Sequence, residues 1–180
     1  MTDYDVIVVG GGPAGSMAAE AAAKQGARTI MLEKDRDIGY PVRCGEGVGA
    51  FGLKKFIEPD PAWIATTISK VRMRSPDNTL IDFGMDDAGF ILHRRLFDYA
   101  LANQASQAGV EIQTRAYVDG LIIEDDCVRG VKYQYMGEHK QLTAKLVIAA
   151  DGVESRVGRM AGLRTATKLK DMDSGYQATV

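Results

Sequence analysis

An α/β fold built on a doubly wound, mostly parallel sheet is what this 180-residue sequence predicts. Three observations carry that prediction. A short apolar run, "YDVIVV", is followed at once by a glycine-rich turn and an alanine-rich helical stretch. A second apolar run, "RTIMLE", completes a strand–helix–strand unit of about 30 residues. Much later, "KLVIAADG" repeats the pattern of a buried strand ending in a sharp turn.

The elements follow in order. Tyr4–Val9 ("YDVIVV") is a short run, apolar at successive positions from Val6 and bounded by glycines, and it reads as a buried parallel strand. Residues 13–25 ("PAGSMAAEAAAKQ") favour helix, and Gly26 ends it. Residues 28–33 form the second strand, and the crossover between the two is expected to be right-handed. The stretch 39–49, "GYPVRCGEGVG", is too rich in glycine for a helix or strand interior and reads as a loop. Residues 67–84 read as two strands around a turn at "PDN". "FILHRRLFDYALANQASQAG" reads as a short strand entering a helix that Gly109 closes, and "VEIQTR" returns to the sheet. Residues 117–144 alternate and turn, which predicts an antiparallel meander. After "KLVIAADG", a helix is expected to begin near Glu154. The stretch "KLKDMDSGYQATV" starts a new segment, so the chain is expected to be the N-terminal part of a longer protein.

Bulk properties exclude some functions. The chain is 46% hydrophobic and 26% charged, the balance of an ordinary globular protein, and its formal charge is −2 with no basic block. Nucleic acid is therefore not expected as a partner. The apolar start is broken by glycines and a proline and has no positive flank, so it is neither a signal peptide nor a membrane span, and an intracellular protein is expected. Cys44 and Cys127 are far apart and form no disulfide framework; both are expected as thiols. His93 and His139 stand apart from each other and from the cysteines, so no metal is expected. Cys127, in the meander, reads as inert packing, and Trp63 as core or pocket lining.

Gly10, Gly12 and Gly15 spell G-x-G-x-x-G between strand and helix. Gly10 permits a tight turn, Gly12 lets backbone approach a pyrophosphate, and Gly15 lets the helix pack closely on the strand, the Rossmann-like arrangement. The helix start offers unpaired N–H groups and a positive dipole end to phosphate. Glu33 ends the second strand 18 residues past Gly15, where a carboxylate accepts ribose hydroxyls and disfavours a 2′-phosphate. The nucleotide is thus FAD or NAD rather than NADP. Asp151 and Gly152, with Ser155 and Arg159 beyond them, follow the last strand on the ligand side of the sheet. This run resembles the second fingerprint of the flavoprotein family that includes the aromatic hydroxylases, and the resemblance turns the choice to FAD. In that family an arginine placed like Arg94, in "LHRRLFDYAL", reaches the flavin's phosphate or ribityl region.

The loop "PVRCGEGV" then gains a context. Together with "DVIVVGGGPAGS", "LEKDRDIGYPVRCGEGV", "ILHRRLFD" and "LVIAADGVESRVGRMAGL", in that order, it resembles the geranylgeranyl reductase family, and within it the archaeal digeranylgeranylglycerophospholipid reductases. The resemblance implies a glutathione-reductase-2-like fold. It divides the chain into an FAD-binding domain at 1–165, strands at 67–92 contributed to a substrate domain, and the start of that domain at 166–180. It implies FAD contacts from Ala14, Glu33, Cys44, Gly45, Gly47, Arg94 and Val118. It also implies reduction of isolated double bonds in geranylgeranyl chains of ether-lipid precursors, an external electron donor and peripheral contact with the membrane. Cys44, at the flavin, becomes a candidate for supplying a proton; packing beside the cofactor is the alternative. Two other readings stand beside this one: an FAD-dependent monooxygenase or halogenase, which shares both fingerprints and Arg94, and a bare nucleotide-binding fragment without activity of its own.

Overall fold

A computed structural model describes residues 2–173, 175 and 176. The elements in chain order are β1 (Tyr4–Val9), α1 (Pro13–Lys24), β2 (Thr29–Leu32), β3 (Gly47–Gly49), α2 (Ala50–Leu53), β4 (Ile64–Arg74), β5 (Leu80–Leu92), α3 (Arg94–Gln107), β6 (Glu111–Gln113), β7 (Ala116–Glu124), β8 (Cys127–Tyr135), β9 (Glu138–Ala149) and α4 (Arg156–Met160). A single 3-10 turn, Leu169–Asp171, follows. The end of the segment expected to open a further domain, residues 174 and 177–180, lies outside the described residues. The chain divides into two compact units, one of Met1–Tyr40 with Asp98–Val180 and one of Pro41–Phe97.

The first unit holds a six-stranded sheet in the order β6-β2-β1-β9-β8-β7. β1 runs parallel to β2 and to β9, and β2 parallel to β6. β7, β8 and β9 pair antiparallel as the expected meander. The alternation of strand side chains explains why β1 is apolar at successive positions from Val6 to Val9. Ile7 and Val9 join a core cluster with Ile30, Leu32, Ala116, Val118, Val131, Tyr133 and Val157. Val6 and Val8 join the other, with Met31, Ala19, Ala102, Ala105 and Val110. One face of the parallel sheet is thus covered by α1 and α3, the other by the meander. Gly26 (φ +82°) and Gly109 (φ +98°) close the two helices as expected.

Two readings of the sequence are revised here. The meander's last strand and "KLVIAADG" are one 12-residue strand, β9. Its first part pairs with β8 and, from Ala144 on, it pairs with β1. No glycine or proline interrupts "EHKQLTAKLVIA", so nothing stops one strand from serving both neighbours. Cys127 is exposed at the start of β8 rather than packed, because it follows the tight turn at Asp125 and Asp126, both at positive φ.

The second unit is a three-stranded antiparallel sheet, β3-β5-β4, with α2 attached. The two strands expected around "PDN" are present and longer than read, because β5 also takes in "FIL". Register shifts at Ile64/Thr66 and Ile68/Lys70 mark irregularities in the pairing. Ala50, Leu53, Trp63, Phe90, Leu92 and Phe97 are buried, and Trp63 meets Phe97 edge-on with ring centroids 5.0 Å apart.

Ile7, with 0% exposure, sits at the centre of the first unit. Ile7→Ala is expected to lower unfolding free energy by about 3 kcal/mol. Leu146→Ala, at a position on β9 that is half exposed, is expected to change it by less than about 0.5 kcal/mol. Chemical denaturation of both variants checks the contrast.

Candidate nucleotide site

The carboxyl ends of β1 and β9 lie side by side, and the two glycine turns leave the sheet there. Gly10 donates its N–H to Leu32 O at 2.8 Å, and Ala150 donates to Val9 O at 2.8 Å. A Cβ on Gly10, whose φ is +107°, would fall 2.3 Å from Ala150 O. One on Gly15 would fall 1.8 Å from Gly10 O. No side chain larger than hydrogen fits at either position. Gly12 differs, because nothing lies within 4 Å of where its Cβ would be. Its φ of −72° is open to any residue. What makes glycine useful at this position is the clear space in front of it. The start of α1 has Pro13 in its first turn, no side-chain cap and no acidic residue, so its positive end is left for an anion.

Glu33 is fixed by the backbone on both sides. Its Oε2 accepts the Gly11 N–H at 2.6 Å, and its Oε1 accepts the Asp35 N–H at 2.9 Å. Each carboxylate oxygen keeps a lone pair for a further donor. Gly11, which the motif leaves as "x", keeps this contact unstrained: a Cβ there would lie 3.1 Å from both Cβ and Oε2 of Glu33, crowding the carboxylate. Its identity as the middle glycine of "GGG" was the signal available in the sequence. Asp151 turns its carboxylate inward, Oδ2 accepting the Val157 N–H at 2.9 Å, with Gly152 and Ser155 both at positive φ in the intervening turn. Asp151 therefore shapes the turn that carries α4.

Gly10, Gly12, Glu33, Val118 and Asp151 line one open cleft of about 230 Å³ in the first unit. Ala14 and Gly15 stand in the first turn of α1. That volume is below the roughly 300–1,000 Å³ of pockets that enclose a drug-sized ligand, and suits one end of a dinucleotide. Open space before Gly12, a free helix start and an anchored carboxylate fit the pyrophosphate and ribose of FAD. Tyr117, Glu154 and Arg156 also line the cleft, and motif spacing gave no sign of them.

The other expected contacts, Cys44, Gly45, Gly47 and Arg94, lie in the second unit, where Glu46 ties them together. Glu46 adopts a left-handed conformation (φ +62°) and donates its N–H to Cys44 Sγ at 3.3 Å. Its carbonyl accepts the Leu92 N–H at 2.9 Å, and its Oε1 accepts the Arg94 N–H at 3.3 Å at the start of α3. Gly47 pairs with Ile91 across β3 and β5. The cysteine loop and the arginine helix, distant in sequence, are thus joined by one glutamate whose conformation carries a backbone cost of about 1–3 kcal/mol.

Comparison with known proteins agrees with this geometry. Residues 5–177 match the model of the FAD dependent oxidoreductase family. The chain is 48% identical over 180 residues to the digeranylgeranylglycerophospholipid reductase of Methanocella arvoryzae, covering 98% of this chain and 46% of that protein. It spans just under half the length of the curated relatives it matches. The crystal structure of a geranylgeranyl bacteriochlorophyll reductase-like protein from Thermoplasma acidophilum superposes with a TM-score of 0.87 at 41% identity, over 92% of this chain and 43% of that one. The myxobacterial chondrochloren halogenase shares the fold alone, with a TM-score of 0.68 at 23% identity over 85% of this chain and 38% of that one.

Gly15 and Gly12 separate folding from binding. Gly15→Ala is expected to lower the melting temperature, since the clashing atom is backbone. Gly12→Ala is expected to leave melting unchanged and weaken FAD binding by tenfold or more, on the order of 1.4 kcal/mol. Thermal scans of the apoprotein and flavin titrations read the two effects independently.

Proposed function

This chain belongs to the FAD dependent oxidoreductase family, FAD is its cofactor, and on that premise we propose that the longer protein reduces isolated double bonds in the geranylgeranyl chains of ether-lipid precursors. The observation that carries the reading is the 48% identity to a digeranylgeranylglycerophospholipid reductase across nearly all of this chain. The halogenase likeness, at 23% identity, supports a common scaffold without a common reaction.

When bound and reduced, FAD supplies a hydride to one carbon of an alkene that has no activating group. The chain's own part is to bind, orient and donate. In this reading Gly10, Gly12, Ala14, Gly15, Glu33, Val118 and Asp151 hold the nucleotide half of the cofactor. Gly45, Gly47 and Arg94 serve the flavin half. Cys44 Sγ–H gives a proton to the second carbon of the alkene. Glu46 positions that thiol and the start of α3 by the bonds described above. An external electron donor renews the reduced cofactor. Residues 1–165 form the FAD-binding domain, 67–92 lend strands to the substrate domain, and 166–180 begin it. The exposed Val71, Met73, Leu80 and Ile81 of β4 and β5 support such a further domain over this sheet.

Peripheral membrane contact belongs to the same reading. No helix among the described residues is long and apolar enough to cross a membrane. Phe51 and Phe56 are 80% and 71% exposed around α2, with Lys54 and Lys55 between them and Lys55 Nζ 4.2 Å above the Phe51 ring. Aromatic rings beside lysines match an anionic lipid surface.

The purified full-length protein, reduced anaerobically with dithionite, is expected to regain its flavin colour when a geranylgeranyl lipid is added. If no prenyl lipid reoxidises it, the reading fails. Cys44→Ser is expected to retain FAD and slow that reoxidation by a hundredfold or so, the usual scale for losing a proton donor. Full activity in Cys44→Ser returns the thiol to packing. For the membrane contact, Phe51→Ser with Phe56→Ser is expected to reduce co-sedimentation with anionic lipid vesicles several-fold; unchanged sedimentation rules out this patch.

A further inference from the structure

Tyr117 and Arg156 line the nucleotide cleft on elements that neither glycine motif predicts. Strand alternation sends Ala116 and Val118 into the core, at 1% and 6% exposure, and turns Tyr117 to the opposite side of β7, where it is half-buried. The Arg156 guanidinium carbon, from the first position of α4, lies 5.4 Å from the Tyr117 ring centroid, within cation–π range. Arg156 is itself exposed, and its guanidinium stays within cation–π reach of the ring while the side chain borders the cleft.

The backbone contacts around Glu33 link this pair to the phosphate turn. On one side Glu33 takes the Gly11 N–H, from the phosphate turn. On the other it takes the Asp35 N–H, and its carbonyl takes the Ala116 N–H at the start of β7. Arg115 N–H bonds to Asp35 O in the same ladder, so Tyr117 follows within two residues of the Glu33 anchor. A ligand with its pyrophosphate before Gly12 and its ribose on Glu33 has its base directed toward the start of β7. We propose that Tyr117 and Arg156 form a layered wall on which the adenine of FAD stacks, Tyr117 backing the guanidinium and Arg156 meeting the base. This rests on FAD being the ligand of the cleft. A guanidinium is planar and weakly hydrated, so it stacks on a π face where an ammonium does not. It also offsets the charge of Glu33, Asp35, Asp151 and Glu154, which line the same cleft.

Calorimetric titration of the full-length apoprotein with FAD and with ADP tests the wall apart from turnover. Arg156→Ala and Tyr117→Ala are each expected to weaken both ligands by roughly tenfold. Tyr117→Phe, which keeps the backing ring, is expected to stay within about twofold of the parent. Arg156→Lys, which keeps charge and loses the plane, is expected to fall nearly as far as Arg156→Ala. Restoration by Arg156→Lys would assign the residue to charge alone and overturn the proposal. So would unchanged binding in Arg156→Ala, a surface substitution that leaves folding intact. Should Tyr117→Ala melt early, the two Arg156 variants decide the question. Failure of the parent protein to bind FAD is a different result, which removes the cofactor assignment of the cleft itself.

Discussion

The close approach of three backbones at the carboxyl edge of the sheet is the constraint from which the nucleotide site follows. β1 lies between β2 and β9, and its last hydrogen bonds reach both neighbours. At that point Gly10 faces Ala150 with no room for a Cβ, and Gly15 brings α1 down onto Gly10. A methyl group at either position would push α1 away from β1 or β1 away from β9. The first displacement would withdraw the helix start from the phosphate position. The second would separate the two turns, since Asp151 follows Ala150 directly. Glu33 depends on the same packing, because its carboxylate is held by the Gly11 N–H of that turn. A cluster of backbone contacts in the core layer therefore sets the positions of the start of α1, the Glu33 carboxylate and the Asp151 turn relative to one another.

Where a local pattern determines structure, the sequence was readable. "YDVIVV" reads as a strand covered on both faces, because its apolar run is short, rich in β-branched residues and closed by glycines. Its two core clusters bear this out. The alanine-rich α1 and its closing Gly26 follow from propensity and cap chemistry alone. The pairing of the G-x-G-x-x-G turn with Glu33 was legible for the same reason, as strand and helix lengths fix the spacing. Features that depend on tertiary neighbours were not legible. The crowding a side chain at Gly11 would bring is visible only once Glu33 is seen against it. The continuity of β9 arises because β8 and β1 offer edges in succession to a strand without a breaker. Its place in the meander makes Cys127 read as packing, while the turn before it carries it to the surface. Arg156 and Tyr117 are far apart in sequence and meet only through the fold.

Glu46 shows how a residue can be conspicuous and still unassigned. In the sequence it is one polar residue among glycines. In the structure its backbone N–H, carbonyl and carboxylate each serve a different partner: Cys44, Leu92 and Arg94. Meeting all three requires the left-handed backbone that glycine adopts freely. Glycine at this position would relieve the backbone and lose the carboxylate that accepts the Arg94 N–H. The strain is thus held by the bonds on either side, and the loop that carries Cys44 is not slack despite its glycines.

Flavoenzymes of one scaffold are told apart by what lies beyond the nucleotide. The halogenase resembles this chain in fold, and the features here at the ends of β1 and β9 (a helix start, an anchored carboxylate and an aspartate turn) suit a phosphate and a sugar, which FAD presents whatever its reaction. Such features are indifferent to whether the reduced cofactor meets an alkene or oxygen. Discrimination must come from residues that impose a cost without serving the nucleotide. The strained Glu46 and the thiol it holds are of that kind. An ordinary connection between β2 and β4 needs no left-handed glutamate, no sulfur accepting a backbone N–H and no carboxylate reaching the start of a helix. That a short loop carries all three is the physical ground on which the proposed thiol role rests, rather than on the glycine turn that first identifies the fold.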